Sequence, residues 1–436
     1  MWDENTVNKR SGKTVKKRIY NGISWYDQNG EPVNAHGCCI VPENGKYYLF
    51  GEYKTNDVNK YEGFSCYSST DFTDWTFEGM ALPPLSEGLL GPDRIGERVK
   101  VLANKKTGKY IMLMHTDNMK YADPCIGLAI GDRIDEEFSF MGPLLYRGEP
   151  IRFWDMGTFV DEDGTAYLLT HEGNIYRLDE TYTQAVELVA ENIAPGGESP
   201  AMFRKDGTYY LMLSNKTSWE RNDNYYFTAP DLHGPWTARG LFCPEGSLTY
   251  NSQCSFVFSC GNTPVYIGDR WSFPRQKAAA TLVLLPIVTA DDGMRIEEYR
   301  PVWNPDTLEN IEMPPQQPLD FQSNIRTEQV QIENIMLTSD DGRIALFGKT
   351  DRHGGYGKIQ ILNEKGETVF TSWIDFYSAV PDQGLRFLSP RLACGRYTLR
   401  IMVSGENSVC VTKNGTRYGS DDFYIYVTGW AKCESL

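Results

Sequence analysis

Glu43-Asn44-Gly45-Lys46-Tyr47-Tyr48-Leu49-Phe50 is a polar turn running into an alternating, aromatic-rich strand. Asn-Gly between two such strands is a strong hairpin signal, because both central residues of a type I′ turn need positive φ. The pattern returns at Lys106-Thr107-Gly108-Lys109-Tyr110, Glu162-Asp163-Gly164-Thr165-Ala166-Tyr167 and Lys205-Asp206-Gly207-Thr208-Tyr209-Tyr210. A weaker copy is Cys260-Gly261-Asn262 before Val265-Tyr266-Ile267. The turn glycines stand 63, 56, 43 and 54 positions apart, a loose period of about 40 to 60 residues that suits propeller blades. The spacing predicts an all-β chain in which residues 20–313 form a five-bladed β-propeller.

The rhythm breaks at Met313-Pro314-Pro315-Gln316-Gln317-Pro318, a linker composition. Beyond it, alternating runs such as Lys358-Ile359-Gln360-Ile361-Leu362 and Tyr397-Thr398-Leu399-Arg400-Ile401-Met402 predict a C-terminal β-sandwich over 319–436, an accessory domain with a carbohydrate-binding or packing role. Residues 1–19, with the basic run from Lys9 to Arg18, read as a solvated tail and not a signal peptide, since no apolar segment follows.

The totals narrow the function. A chain of 436 residues exceeds what one core usually serves, and a net charge of -15 argues against nucleic acid as a partner. No stretch has the composition of a membrane span. Ten cysteines without a Cys-x-x-Cys pair, and five histidines, fit neither a disulfide framework nor a metal centre, so no metal and no cofactor are expected. Free, mostly buried thiols imply a reducing compartment, cytoplasmic for the chain as given or secreted if a leader has been removed. The sequence leaves the oligomeric state open.

In a propeller the innermost strands surround a central channel, so equivalent positions on the blades converge there. Counting back nine residues from Gly45, eleven from Gly108, nine from Gly164, nine from Gly207 and eight from Gly261 reaches His36, Glu97, Asp155, Glu198 and Gln253. Buried carboxylates are costly unless paired or functional, and neighbouring carboxylates raise one another's pKa, which lets one remain protonated as a general acid. Glycoside hydrolysis uses such a group to protonate the leaving oxygen. Glu52 and Asp269, after the second strands of their blades, flank this ring or form salt bridges. Arg270-Trp271 offer a hydrogen-bonding and stacking surface for a sugar.

Several stretches in order resemble glycoside hydrolase family 43, in particular its exo-β-1,3-galactanase (galactan 1,3-β-galactosidase) branch: Trp25-Tyr26-Asp27, Asn34-Ala35-His36-Gly37, Gly51-Glu52, Glu97-Arg98-Val99-Lys100-Val101, Asp155-Met156, Glu198-Ser199-Pro200-Ala201-Met202-Phe203, Ser252-Gln253 and Gly268-Asp269-Arg270-Trp271. The resemblance covers about Trp25 to Trp303. It implies an inverting hydrolase with Glu198 as general acid and Asp155 orienting it and adjusting its pKa. The branch lacks the first-blade Asp base of the wider family, as this chain does, and Glu97 and Gln253 are then the candidates for holding the attacking water. The same resemblance puts Glu52, Tyr121, Asn174 and Thr217 around the terminal sugar. His36, from its place in the ring, and Trp219 are further candidates for substrate binding.

The chain departs from the branch at Cys38-Cys39, at Asn215-Lys216-Thr217-Ser218-Trp219 and at Phe153-Trp154 before Asp155. The expected function is release of galactose from the non-reducing end of β-1,3-galactan or a related oligo- or polysaccharide. The alternatives are an arabinose- or xylose-type glycoside as substrate, and an inactive carbohydrate-binding propeller.

Overall fold

The computed structural model describes residues 16–215, 222–291, 293–411 and 415–434, and these are all-β apart from short single turns of helix. All five expected hairpins form. Their strands are β1 (His36–Glu43) and β2 (Lys46–Glu52), β3 (Arg94–Asn104) and β4 (Lys109–Asn118), β5 (Met156–Val160) and β6 (Ala166–Thr170), β7 (Glu198–Lys205) and β8 (Thr208–Ser214), β9 (Gln253–Cys260) and β10 (Thr263–Arg270). Asn44 and Gly45 have φ of 50° and 79°, and Asp206 and Gly207 have 49° and 77°, the left-handed pair that the turn chemistry requires.

Each hairpin nucleates a sheet. The first, second and fourth sheets have four strands, the third has six because Leu145–Tyr146 and Glu149–Pro150 extend it, and the fifth has three. Beyond the third strand of the fifth sheet, Thr281–Pro286, the chain's own beginning takes over: Gly22 N donates to Leu282 O at 2.9 Å and Asn21 Nδ2 to Leu284 O at 2.8 Å. Ile19–Tyr20 pairs with Val302–Trp303, so strand pairing begins one residue inside the expected tail, whose residues 1–15 lie outside those described.

Strands β1, β3, β5, β7 and β9 touch in a circuit, each against the next and β9 against β1. Five apolar clusters occupy the intervals. Phe50 and Phe64 of the first sheet meet Val101 and Met112 of the second, Leu113 meets Leu168, Leu169 meets Leu211, and Met212 meets Val283. Ile267 and Leu284 of the fifth sheet meet Ile40 and Leu49 of the first. Burying apolar surface on both faces of each sheet holds the five together at roughly 25 cal/mol per Å² removed from water.

Cys38 joins the cluster between the fifth and first sheets, and Cys39 the one between the first and second. The adjacent cysteines thus point to opposite faces, as expected of a strand. No disulfide joins the ten cysteines, and eight of them are buried.

The C-terminal region has two four-stranded antiparallel sheets. One orders Gln317–Ser323, Ile425–Cys433, Arg343–Thr350 and Asp382–Leu388; the other orders Gln329–Leu337, Gly395–Val403, Tyr356–Leu362 and Thr368–Asp375. Their facing side chains, among them Leu346, Ile361, Phe376, Leu399 and Val427, form one apolar core. The outer face of the first of these sheets packs Phe347, Leu385 and Ala431 into the cluster that joins the fifth and first hairpin sheets.

Candidate active site

His36, Glu97, Glu198 and Gln253 lie at or near the starts of β1, β3, β7 and β9, opposite Glu52, His115, Ser214 and Asp269 on the returning strands. Directly after the first three, and one pair further on after Gln253, the register slips, as a β-bulge inserts unpaired residues and turns the strand. The residues following the first three, Gly37, Arg98 and Ser199, have φ of 56°, 55° and 51°. Left-handed backbone is costly for Arg and Ser, and such strain clusters at functional positions. Gly37 has no alternative, since a Cβ there would lie 1.9 Å from Glu52 Oε1. Asp155 directly precedes β5, where its carbonyl accepts the His171 N–H at 3.0 Å.

Two linked networks result. In the first, Glu97 Oε1 accepts hydrogen bonds from Tyr121 Oη (2.7 Å) and Asn59 Nδ2 (2.8 Å), and Oε2 lies 3.4 Å from His115 Nδ1. Burial works to raise the Glu97 carboxyl, but His115, Lys54 and Asn59 outweigh it and hold the group well below the usual carboxylate range. Lys54 Nζ bonds Asn59 Oδ1 at 2.6 Å, pairs with Glu52 Oε2 and sits over the Trp271 ring.

The second network centres on Arg98. Its guanidinium donates to Asp155 Oδ1 (3.2 Å) and Gln253 Oε1 (2.8 Å), reaches to 4.0 Å from Asp269 Oδ2 and lies over Trp271, while its backbone N–H donates to Glu52 Oε1 (2.9 Å). The other Asp155 oxygen accepts both the N–H and the hydroxyl of Ser199 at 3.0 Å, tying Asp155 to the residue after Glu198. Burial pushes Asp155 upward, but Arg98 prevails and holds it below the ordinary value. Asp269 goes the other way: burial outweighs Arg98, and the carboxyl is pushed up to about 6.

His36 is neutral. Burial and the nearby Lys54 charge lower its pKa to about 3, and at 3.8 Å from Asp269 its Nδ1 is beyond hydrogen-bond range. Gln253 Oε1 also accepts from Trp271 Nε1 at 2.9 Å. With that oxygen committed twice, its NH₂ is the group left for a ligand.

The structure thus brings together His36, Glu52, Glu97, Tyr121, Asp155, Gln253, Asp269 and Trp271, with Glu198 joined through Ser199. Arg270 is not among them: its guanidinium donates to Tyr250 O (2.8 Å), stacks on Tyr299 and lines a crevice shared with Thr350, Asp375 and Arg386. Adjacent residues on a strand face opposite ways, and Asp269 takes the central side. Asn174 spends its amide on Thr170 Oγ1, His171 O and the Asn192 N–H, bracing a loop. Thr217 and Trp219 lie outside the described residues.

Sequence reasoning passed over Lys54, Asn59, Arg98, His115 and Asp117. A signal for one of them was present, because seven residues forward from Gly45 is Glu52 and seven forward from Gly108 is His115. Glu97, His115 and Asp155 bring donor atoms within 4.8 Å of one another, a spacing compatible with a shared cation. Here Arg98 supplies a positive charge to Asp155, and His115 stands between Glu97 and Asp117.

Residues 32–241 match the family described as Glycosyl hydrolases family 43. A candidate exo-β-1,3-galactanase of Bifidobacterium bifidum is 37% identical, with 64% of this chain and 96% of that one covered and a TM-score of 0.59. The exo-β-1,3-galactanase of Phanerochaete chrysosporium solved with galactose shares the fold at 22% identity and TM-score 0.68, over 95% of this chain and 99% of that one. The Clostridium thermocellum exo-β-1,3-galactanase does so at 22% and 0.61, over 94% and 96%. No curated protein matched the sequence.

Proposed function

The chain belongs to glycoside hydrolase family 43, and we propose on that footing that it is an exo-acting, inverting enzyme releasing galactose from the non-reducing end of β-1,3-galactan or a related terminal galactoside. In this reading residues 20–313 are a five-bladed β-propeller that carries the site, and 319–436 are an accessory β-sandwich. The observation that carries the reading is that the buried Arg98, next in sequence to Glu97, holds Asp155, whose other oxygen holds Ser199, the residue after Glu198.

Glu198 is the general acid that protonates the glycosidic oxygen. Asp155 binds the N–H and hydroxyl of Ser199, the residue after Glu198, and so fixes the strand that presents the acid. Glu97 and the Gln253 NH₂ hold the attacking water and a sugar hydroxyl on the opposite side. His36, where the wider family carries a base, is buried and neutral and takes no proton at working pH. Trp271, held by Gln253, gives an apolar wall.

Support for galactan comes from the 37% identical Bifidobacterium protein, itself described as a candidate exo-β-1,3-galactanase. Glu198→Gln should lower turnover of β-1,3-galactobiose by roughly 10² to 10⁴-fold without loss of folding. Near-normal turnover would overturn the assignment of the acid. Initial release of β-galactose, followed by NMR, would overturn inversion. Release of arabinose or xylose instead of galactose from a polysaccharide panel would overturn the substrate.

A further inference from the structure

We propose that His115, braced by Asp117, is a positioning residue that keeps the Glu97 carboxylate ionised and fixed in the pocket. His115 lies on β4 directly across from Glu97 at the bulge, and only 1% of it is exposed. Its Nδ1 is 3.4 Å from Glu97 Oε2, and its Nε2 is 3.3 Å from Asp117 Oδ2. An imidazole facing carboxylates on both sides satisfies both only as the imidazolium, which has two N–H donors and no acceptor.

Asp117 is suited to hold that cation in place. It is fully buried, and its Oδ1 accepts the backbone N–H groups of Asn118 (2.7 Å) and Asp123 (2.8 Å), which leaves Oδ2 for the ring. The order Asp117, His115, Glu97 is a chain of alternating charge leading from the protein interior to the pocket.

The other groups around the ring are consistent with this state. Tyr121 packs its ring 6.4 Å from the imidazole, and Asp155 acts on it from the third sheet while bound to Arg98. Lys54 acts on Glu97 from the first sheet. Burial opposes the charge on His115, but Asp117 and Glu97 outweigh it and raise the imidazole pKa to about 9. Asn59 and Tyr121 hold one oxygen of Glu97 by hydrogen bonds, and His115 stands at ion-pair distance, 3.4 Å, from the other.

The effect on turnover rests on the glycosidase reading, whereas the charge on His115 does not, so two measurements separate them. Nitrogen-15 NMR of histidine-labelled protein, with five histidines assigned by comparison with His115→Asn, should show the His115 ring still protonated at pH 8. Titration near the ordinary value of about 6.5 would overturn the proposal. In His115→Asn the acid limb of kcat/KM on a β-galactoside should move up by about one pH unit, a roughly tenfold loss on that limb.

An acid limb superimposed on the wild type would overturn the proposal, as would an equal loss at every pH, which marks a merely structural residue. Asp117→Asn should move the limb the same way by less, and it decides the matter if the histidine variant fails to fold. A wild-type protein that cleaves no galactoside would overturn the proposed function while leaving the NMR result to judge His115.

Discussion

The centre of the five hairpin sheets and the space between the two C-terminal sheets are both buried, and they are filled in opposite ways. Between the C-terminal sheets lie apolar side chains, among them Ile332, Leu346, Ile361, Phe376, Leu399 and Val427. At the centre of the hairpin sheets lie Glu52, Lys54, Arg98, Lys100, His115, Asp117 and Asp269, all buried, together with the partly buried Glu97. An ion cluster out of water gains little net stability, because desolvation offsets most of the attraction. The five apolar clusters between the sheets hold the fold, and the charged centre is maintained for chemistry.

The largest effects should come from breaking each interior in its own way. Arg98→Met leaves Asp155 and Asp269 buried without their shared cation and should cost about 3–5 kcal/mol at neutral pH. Leu399→Ala, a cavity in the apolar core, should cost about 2–5 kcal/mol. Denaturant titrations at two pH values separate them. The Arg98 loss should shrink toward pH 4, where the orphaned carboxyls protonate, while the Leu399 loss should hardly change. Equal pH dependence of the two would undo the comparison.

The same contrast explains what could be read from the sequence. Hairpins are local, and Asn-Gly and Asp-Gly specify their own backbone, so all five turns stand where the glycines put them. Counting back from them found His36, Glu97, Asp155, Glu198 and Gln253, because equivalent strands repeat the same register. The offsets vary from eight to eleven because the strands and bulges differ in length, as in the long β3. His115 and Arg98 were missed for another reason. Arg98 acts across sheets through a bulge that turns it inward, which no local pattern spells out, whereas His115 pairs with Glu97 inside one sheet and only the shared seven-residue step from Gly45 to Glu52 and from Gly108 to His115 marks it. Arg270 was misplaced because proximity along the chain to Asp269 was taken for proximity in space.

Asp269 offers a finer test within the charged centre. Its carboxyl is pushed up to about 6 in the folded protein by burial, against an ordinary value near 3.8. The folded state therefore holds that proton more tightly than the unfolded chain. This contribution to stability is complete below about pH 4 and is lost as pH rises through 6. Asp269→Asn keeps an acceptor for the Gly37 N–H and removes the titration. The variant should gain on the wild type between pH 4 and 7 by on the order of 2–3 kcal/mol. A constant difference across that range would show that Asp269 is not the titrating group.

The smallest effect should lie where the two regions meet. Asp74, in the turn between the third and fourth strands of the first sheet, receives Arg343 and, at 2.7 Å, Arg391 from the C-terminal sheets. Partial burial raises its carboxyl, but the two arginines prevail and lower it, so its contribution is present above the ordinary carboxylate range and fades as pH falls. The side chain is 44% exposed, so solvent screens the pair and the site is worth about 1 kcal/mol or less. Asp74→Asn should lower the unfolding midpoint slightly at low salt, lose that effect in high salt, and leave galactoside turnover at the wild-type rate. A large drop in turnover would mean that the C-terminal sheets set the geometry of the charged centre. The apolar contact made by Phe347, Leu385 and Ala431 is the reason to expect otherwise, since it holds the two regions together without Asp74.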